Sequence, residues 1–425
     1  MNATITPAGL TGAIQAPVSK SEAHRLMILA ALAKGAPKIE LGGTSADIEA
    51  TARCLEALAD DLVGTTKAQE ADERAPLLLD VGESGTTLRF LLPVVGALGV
   101  ECHIVRHGRL AERPLAPFDD ELRAHGMQIA QDPTDPDSLM VKGTLTGGTF
   151  TLPGNVSSQF VSALLLAAPR IEGPVRVLVS KPVESRPYID LTIGALEAFG
   201  VRVCTQDVTH DGRAFEQLTV EEGPLVAPGC LVPAGDWSNA AFWLAAGSWE
   251  PEGLTVSGLD MASRQGDRQI LAALSLMGAR VARLRDAARV TLDHPRAVRM
   301  DVSAIPDLVM PLAAAALACP GETVLTGAAR LALKESDRLA TTVAAIRALG
   351  GSATCTADEL RVTGGAPLPG GVVDAAGDHR IAMMAAVLAT RATGPSTILG
   401  AECVEKSYPT FFDDLRVLGG QVTLA

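Results

Sequence analysis

A polar or glycine-bearing turn followed by an Ala/Leu-rich stretch recurs six times along the chain, at Ser19, Glu83, Val156, Asp236, Pro306 and Gly377. The intervals are 64, 73, 80, 70 and 71 residues, and each stretch predicts a helix. A second helix answers each of the first. Five of these end in an apolar residue or His followed by glycine, at Gly126, Gly200, Gly278, Gly350 and Gly419, where a helix C-cap favours left-handed geometry. Short Val/Ile-rich strands follow, as in Val201-Arg202-Val203 and Val422-Thr423-Leu424. The unit is therefore strand alternating with helix, repeated six times, which predicts an α/β (α+β) fold. Six helix N-termini come within reach of one another, and each favours an anion through its free N–H groups and its dipole.

With 425 residues and 47% hydrophobic content, the chain fills more than one core, and six repeats divide most simply into two domains of three. No apolar run approaches the ~18 residues needed to span a bilayer, and Met1 to Gly12 lacks the basic and apolar parts of a signal peptide, so a cytoplasmic protein is expected. The seven cysteines are scattered and never paired as CxxC, which suits small buried hydrophobes in a reducing compartment better than disulfides or zinc. A net charge of −13 with 3% aromatics argues against nucleic acid. It also makes any local cluster of cations more telling. The one plainly loop-like stretch is Gln131 to Ser138, with Pro133 and Pro136.

Candidate chemistry lies at the helix starts. Lys20 and Ser21 open the first repeat with Arg25 about one turn on, an arrangement for a carboxylate or phosphate or simply a solvated cap. Ser157, Ser158 and Gln159 open the third, with Ser185 before its partner helix; adjacent hydroxyls hold phosphate oxygens or cap the helix. In the second repeat Gly85-Thr86 forms a turn with Arg89 beyond it, and Glu112-Arg113-Pro114 precedes the second helix, where a positive charge wants an anionic partner. The fifth carries Lys334-Glu335-Ser336-Asp337-Arg338, expected to place Lys334 and Arg338 on one helical face beside Glu335. Asp307 heads the apolar helix of the same repeat and, with Glu335, is a candidate acid/base couple. Asp378-His379-Arg380 opens the sixth, and Lys406 follows at another expected helix start. Lys20, Arg25, Arg113, Lys334, Arg338, Arg380 and Lys406 together form the set of cations that two polyanionic small molecules held side by side require, since like charges at ~4 Å repel by about 4 kcal/mol at an intermediate dielectric.

At these residues the chain resembles, nearly end to end, the 5-enolpyruvylshikimate-3-phosphate (EPSP) synthases, the 3-phosphoshikimate 1-carboxyvinyltransferases of the enolpyruvyl transferase family. The resemblance implies two similar domains of three βαβαββ-type units, residues 1–18 with 235–425 and residues 19–234, with the active site in the cleft between them. It implies that shikimate 3-phosphate and phosphoenolpyruvate are the substrates, yielding the enolpyruvyl ether and phosphate in the route to chorismate, with no cofactor, no metal and a monomeric chain. By motif position, Lys20, Ser21, Arg25, Ser157, Ser158, Gln159, Ser185, Asp307 and Lys334 meet shikimate 3-phosphate, and Lys20, Gly85, Arg113, Gln159, Arg338, Arg380 and Lys406 meet phosphoenolpyruvate. Asp307 is the implied base for the attacking hydroxyl, Glu335 the acid for the methylene carbon, and Lys20 the other proton carrier. Domain closure on the anions is expected, hinged near Ala16 to Ser19 and Pro233 to Asp236.

Glu83-Ser84 stands where Asn-Ala commonly precedes the Gly-Thr pair, Phe90 where proline commonly follows the arginine, and Arg330 where an asparagine can contact the shikimate phosphate. Gly85 keeps the space that the inhibitor glyphosate occupies in sensitive members. Two other readings carry distinguishing features. The sister enzyme acting on UDP-N-acetylglucosamine usually has a Lys-Asn pair near the start and a loop cysteine, whereas Lys20 precedes Ser21 and the loop from Arg109 to Arg113 has no cysteine. A non-catalytic phosphometabolite sensor gains nothing from carboxylates such as Asp307 and Glu335.

Overall fold

The computed structural model describes residues 1–35, 37–65 and 76–425. They divide into two compact units, a discontinuous one of Met1–Ser19 with Ala234–Ala425 and a continuous one of Lys20–Pro233.

The repeat is written into the sheets. From Leu77 to Lys142 the chain runs strand Leu77–Asp80, helix Gly85–Leu98, strand Cys102–Val105, helix Phe118–Ala124, then strands Gln128–Gln131 and Ser138–Lys142. The first two strands pair in parallel, as a helical crossover allows, and the last two form a hairpin whose second strand lies antiparallel to Cys102–Val105. The expected loop from Gln131 to Ser138 is the hairpin connection. The same βαβαββ order recurs from Thr146 to Val220 and from Arg299 to Gly364.

Three repeats are completed by strands distant in sequence. Gly12–Gln15 pairs in parallel with Leu254–Ser257 and so supplies the opening strand of the fourth repeat. Asn2–Thr6 lies antiparallel between Ser396–Leu399 and Gln421–Leu424, completing the sixth. In the first repeat Lys38–Ile39 pairs in parallel with Cys230–Leu231, at the far end of the continuous unit. That sheet has two strands among the described residues, against four in each of the other five, so the first repeat departs from the uniform pattern.

Burial explains the Ala/Leu-rich composition of the leading helices. Every residue of Trp237–Gly247, Val309–Leu317 and His379–Ala389 is buried, and these three helices pack on one another inside the core of the discontinuous unit. In the continuous unit, Ser158–Ala167 packs against both Gly85–Leu98 and Lys20–Leu32. A helix surrounded by others has no polar face to offer solvent, and small side chains permit close approach. Polarity is therefore confined to the helix starts. The glycines ending five of the answering helices all have positive φ, from 80° at Gly200 to 105° at Gly126, as the C-cap argument requires.

Some expectations need correction. The strand after Gly200 begins at Val203, not Val201. Only Cys54, Cys102 and Cys319 behave as buried hydrophobes, while Cys204, Cys230 and Cys355 are exposed and Cys403 is half-buried. Cys204 and Cys355 lie on edge strands, where one face meets solvent. Among the described residues no helix is long and apolar enough to cross a membrane.

Candidate active site

In the discontinuous unit, three helix starts converge on one arginine. Asp307 sits in the 3-10 turn Pro306–Leu308 that runs into Val309–Leu317. Asp378 caps His379–Ala389, accepting from Arg380 N at 3.0 Å. Asp337 caps Arg338–Ala348 by accepting from the amides of Leu339 and Ala340. Because Asp is a strong N-cap and Lys is not, the helix begins at Arg338, and Lys334 lies extended beyond the 3-10 turn Ala329–Leu333. The expected common helical face of Lys334 and Arg338 is therefore absent. They meet instead on one carboxylate oxygen, Asp307 Oδ1, which is 2.9 Å from Arg338 Nη1 and 3.7 Å from Lys334 Nζ.

The Arg338 side chain is 2% exposed. Its Nε donates to Asp378 Oδ2 at 2.8 Å, Nη1 to Asp307 Oδ1 at 2.9 Å, and Nη2 to Glu335 Oε2 at 2.8 Å and Asp378 Oδ1 at 3.2 Å. Burial opposes its charge, but Asp378, Glu335 and Asp307 more than offset this, so its proton is held more tightly than usual. Arg380 Nη2 donates to Asp307 Oδ2 at 3.2 Å. Burial raises the Asp307 carboxyl, yet Arg380, Lys334 and Arg338 outweigh it and hold the group well below the usual carboxylate range. Burial likewise lowers the Lys334 ammonium.

Asp267 behaves in the opposite way. It is 1% exposed in the turn Gly266–Gln269, accepts from the Ser238 hydroxyl, and is pushed up to about 7 by burial and by the Asp307 charge, against the pull of Arg380. Neither Asp267 nor Asp378 carries a role of its own in the sequence pattern. For Asp267 the available signal was the one that marked Asp307, a lone carboxylate ahead of an apolar helix, here Ile270–Leu276. Lys406 closes the 3-10 turn Ala401–Lys406 rather than opening a helix; the next helix starts at Phe411.

The continuous unit presents a different chemistry. Lys20 is the first residue of its helix, and its Nζ donates to Asp47 Oδ2 at 2.8 Å. Arg25, 2% exposed, donates to Thr192 Oγ1 at 2.7 Å, to Ser21 O at 2.6 Å and to Tyr188 O at 3.0 Å, and lies 5.0 Å from the Phe90 ring centre. Burial brings its guanidinium down to about 10. Ser157 caps Ser158–Ala167, accepting from Gln159 N at 3.3 Å. The Gln159 amide is held at both ends: Oε1 accepts from Arg89 Nη1 at 3.0 Å and Nε2 donates to Thr86 Oγ1 at 2.9 Å. Ser185 has a left-handed backbone, φ 52°, immediately before helix Arg186–Ala198, while Arg186 is committed to Glu216 at 2.9 Å and to Asp190.

Arg113 is extended after the 3-10 turn Gly108–Glu112 and is not part of helix Phe118–Ala124, so the helix-dipole argument made for it does not apply. It packs against Gly85 instead. A Cβ built on Gly85 would lie 2.6 Å from Arg113 Nη1 and 2.7 Å from Arg89 Nη1, so only the absence of a side chain lets two guanidinium groups reach this helix start.

The residues that depart from the family pattern have structural partners. Ser84 caps Gly85–Leu98 by accepting from Thr87 N at 3.2 Å. Phe90 lies under Arg25, and Arg330 Nη2 donates to Ser303 O at 2.7 Å. The Glu83 carboxyl packs against Gly108, where an added Cβ would be 2.8 Å from Glu83 Cδ.

The family model for EPSP synthase (3-phosphoshikimate 1-carboxyvinyltransferase) matches residues 5–415. The chain is 36% identical over 424 residues to the 3-phosphoshikimate 1-carboxyvinyltransferase of Clostridium kluyveri, covering 99% of this chain and 97% of that protein. It is 37% identical over 417 residues to the protein of the same name from Methanoculleus marisnigri, covering 95% of this chain and 96% of that one. Among solved structures, the EPSP synthase of Acinetobacter baumannii superposes with a TM-score of 0.76 at 26% identity, over 100% of both chains. The enolpyruvyl transferase NikO of Streptomyces tendae, at 17% identity and a TM-score of 0.71 over 99% of this chain and 98% of that one, shares the fold. With a family match over residues 5–415 and relatives 36% and 37% identical over nearly the whole chain, this chain belongs to the EPSP synthase family, the 3-phosphoshikimate 1-carboxyvinyltransferases.

Proposed function

We propose that the protein transfers the enolpyruvyl group of phosphoenolpyruvate to the 5-hydroxyl of shikimate 3-phosphate, releasing phosphate. The observation that carries this reading is the Asp307–Arg338–Glu335 arrangement: two carboxylates bound to one buried arginine, with Lys334 and Arg380 on the same aspartate. A site meant only to hold anions is weakened by carboxylates, whereas proton transfer to and from bound anions needs them.

In this reading Ser157, Ser158 and Ser185 hold the shikimate phosphate, Ser21 and Arg25 its carboxylate, and Gln159, Asp307, Lys20 and Lys334 its remaining polar groups. Phosphoenolpyruvate meets Lys20, Gly85, Arg113, Gln159, Arg338, Arg380 and Lys406. Glu335, having taken up a proton as the arriving anion draws Arg338 away from it, gives that proton to the methylene carbon, which makes the adjacent carbon electrophilic. The 5-hydroxyl attacks that carbon and passes its proton to Asp307. The tetrahedral adduct then loses a methyl proton back to carboxylate as the C–O bond to phosphate breaks, which regenerates the double bond.

The resting ion pairs bear on the timing. An Asp307 carboxylate stabilised by three cations is a poor base. An arriving phosphate or carboxylate competes for those same donors, and each one drawn away makes Asp307 more basic at the moment when a base is needed. Phosphate release from phosphoenolpyruvate, measured with shikimate 3-phosphate or UDP-N-acetylglucosamine as acceptor, tests the proposal. Release with shikimate 3-phosphate supports it. Release only with the nucleotide sugar assigns the sister activity, and saturable binding without turnover assigns a sensor.

A further inference from the structure

His24 lies one turn into the helix Lys20–Leu32, between the anion-site candidates Lys20 and Arg25, and is fully buried. Its Nδ1 is 2.7 Å from Thr51 Oγ1, Thr51 Oγ1 is 2.7 Å from Thr87 Oγ1, and Thr87 Oγ1 donates to Ser84 Oγ at 2.7 Å. Three helices, Lys20–Leu32, Ala46–Thr65 and Gly85–Leu98, are thus joined by one line of hydrogen bonds. The line ends on Ser84, the cap that fixes the backbone immediately before Gly85.

Proton counting gives the line a direction. Thr87 has one hydroxyl proton, and it goes to Ser84 Oγ at 2.7 Å, much nearer than the other acceptor, the Asp47 carbonyl at 3.5 Å. The proton between Thr51 and Thr87 must then come from Thr51, since two lone pairs cannot face each other at 2.7 Å. Thr51 has none left for the imidazole, so His24 must donate from Nδ1. The ring is then neutral, with Nε2 an acceptor that meets no partner among the described residues. Burial, then Lys20 and Arg25, holds the imidazole well below its ordinary range, in agreement with that tautomer.

We infer that His24 is a positioning residue: through Thr51 and Thr87 it holds the Ser84 cap, and with it the Gly85 end of the helix, in the place where phosphoenolpyruvate binds. This rests on the function proposed above. The line is short and buried, so a change at His24 reaches Ser84 with little solvent relaxation.

Three variants separate this role from simple packing. Asn carries an amide N–H close to the position of imidazole Nδ1, whereas Gln reaches toward Nε2. His24→Gln and Thr51→Val should each raise KM for phosphoenolpyruvate by roughly tenfold, the upper range for one lost neutral hydrogen bond, with kcat and shikimate 3-phosphate affinity little changed. The Thr87 amide should exchange faster in both, because Ser84 is its acceptor. His24→Asn should restore KM and exchange toward the wild-type values. Two-bond proton–nitrogen NMR of the wild-type protein at neutral pH should find His24 with Nδ1 protonated and Nε2 bare. An Nε2-protonated or doubly protonated ring overturns the inference, as does an Asn variant as impaired as Gln. Tautomer and amide exchange are read without turnover, so an inactive wild-type protein counts against the functional reading, whereas a wrong tautomer in an active one counts against His24.

Discussion

Arg338 Nη1 donates to Asp307 Oδ1 at 2.9 Å while Nη2 of the same guanidinium donates to Glu335 Oε2 at 2.8 Å. One rigid, planar group thereby fixes the separation and orientation of the two carboxylates proposed as base and acid. Its third side is anchored on Asp378, which is itself tied down as the cap of His379–Ala389. The proposed chemistry and the fold therefore share a residue here.

The two neighbouring arginines should respond differently to truncation. Removing Arg338 takes the guanidinium away from Asp378, which is fully buried, and breaking a buried ion pair from one side costs about 3–5 kcal/mol. Arg338→Ala is expected to lower the thermal midpoint markedly as well as abolish turnover. Arg380 shares Asp307 with Arg338 and Lys334, so Arg380→Ala should lower the midpoint less than Arg338→Ala does and mainly raise KM for phosphoenolpyruvate. Differential scanning calorimetry beside steady-state kinetics checks the contrast.

Stability should carry two opposed pH signatures. Asp307 is depressed when folded, so its contribution is present above the unfolded value of about 3.9 and is lost as pH falls through its lower folded value. Asp267 is raised to about 7, so the folded state holds its proton where the unfolded state releases it, and stability falls as pH rises from about 4 to 7. Asp267→Asn removes only the second effect. Its melting temperature relative to wild type is expected to rise between pH 5 and pH 8, and a constant difference would refute the assignment.

The repeat was legible because burial on all sides leaves the leading helices almost without polar residues, so each polar start stands out against an apolar run, as at Asp307 before Val309–Leu317. The glycines at Gly126 and Gly350 were legible because their positive φ is a local requirement. Pairing across long sequence distance was not. Nothing near Lys38 announces Cys230–Leu231 as its partner strand, and nothing near Gly12 announces Leu254–Ser257. Similarly, the residue types of the Lys334–Arg338 motif pointed to an anion site, but their geometry depended on which residue wins the cap, and Asp337 wins it.

Gly85 offers a steric test. An added methyl would fall within 2.7 Å of the Arg113 and Arg89 guanidinium ends, which are flexible tips rather than backbone, so Gly85→Ala should fold normally by displacing them. Displacing cations by a fraction of an ångström at a binding site costs between about tenfold and 10²-fold. Accordingly, phosphoenolpyruvate KM should rise by that range, glyphosate inhibition should weaken, and shikimate 3-phosphate affinity by isothermal titration should stay near wild type. Equal losses for both substrates would mean that Gly85 serves the fold.

The sharpest division concerns the two carboxylates. Both already neutralise cations in the resting protein, so replacing either with its amide removes a charge from a cluster that has Arg338, Lys334 and Arg380 to compensate. If they acted only as counterions, Asp307→Asn and Glu335→Gln would improve anion binding and leave chemistry unchanged. If they move protons, each variant should lose about 10²–10⁴-fold in turnover while binding phosphoenolpyruvate as well as before or better. Rapid-quench analysis of a single turnover separates the roles further. Glu335→Gln should slow formation of the tetrahedral adduct, which begins with protonation of the methylene carbon, and Asp307→Asn should slow attack by the hydroxyl in the same step. Near-normal turnover in Glu335→Gln would transfer the acid role to Lys20, whose Nζ is held by Asp47 at 2.8 Å, and Lys20→Met would then become the decisive variant.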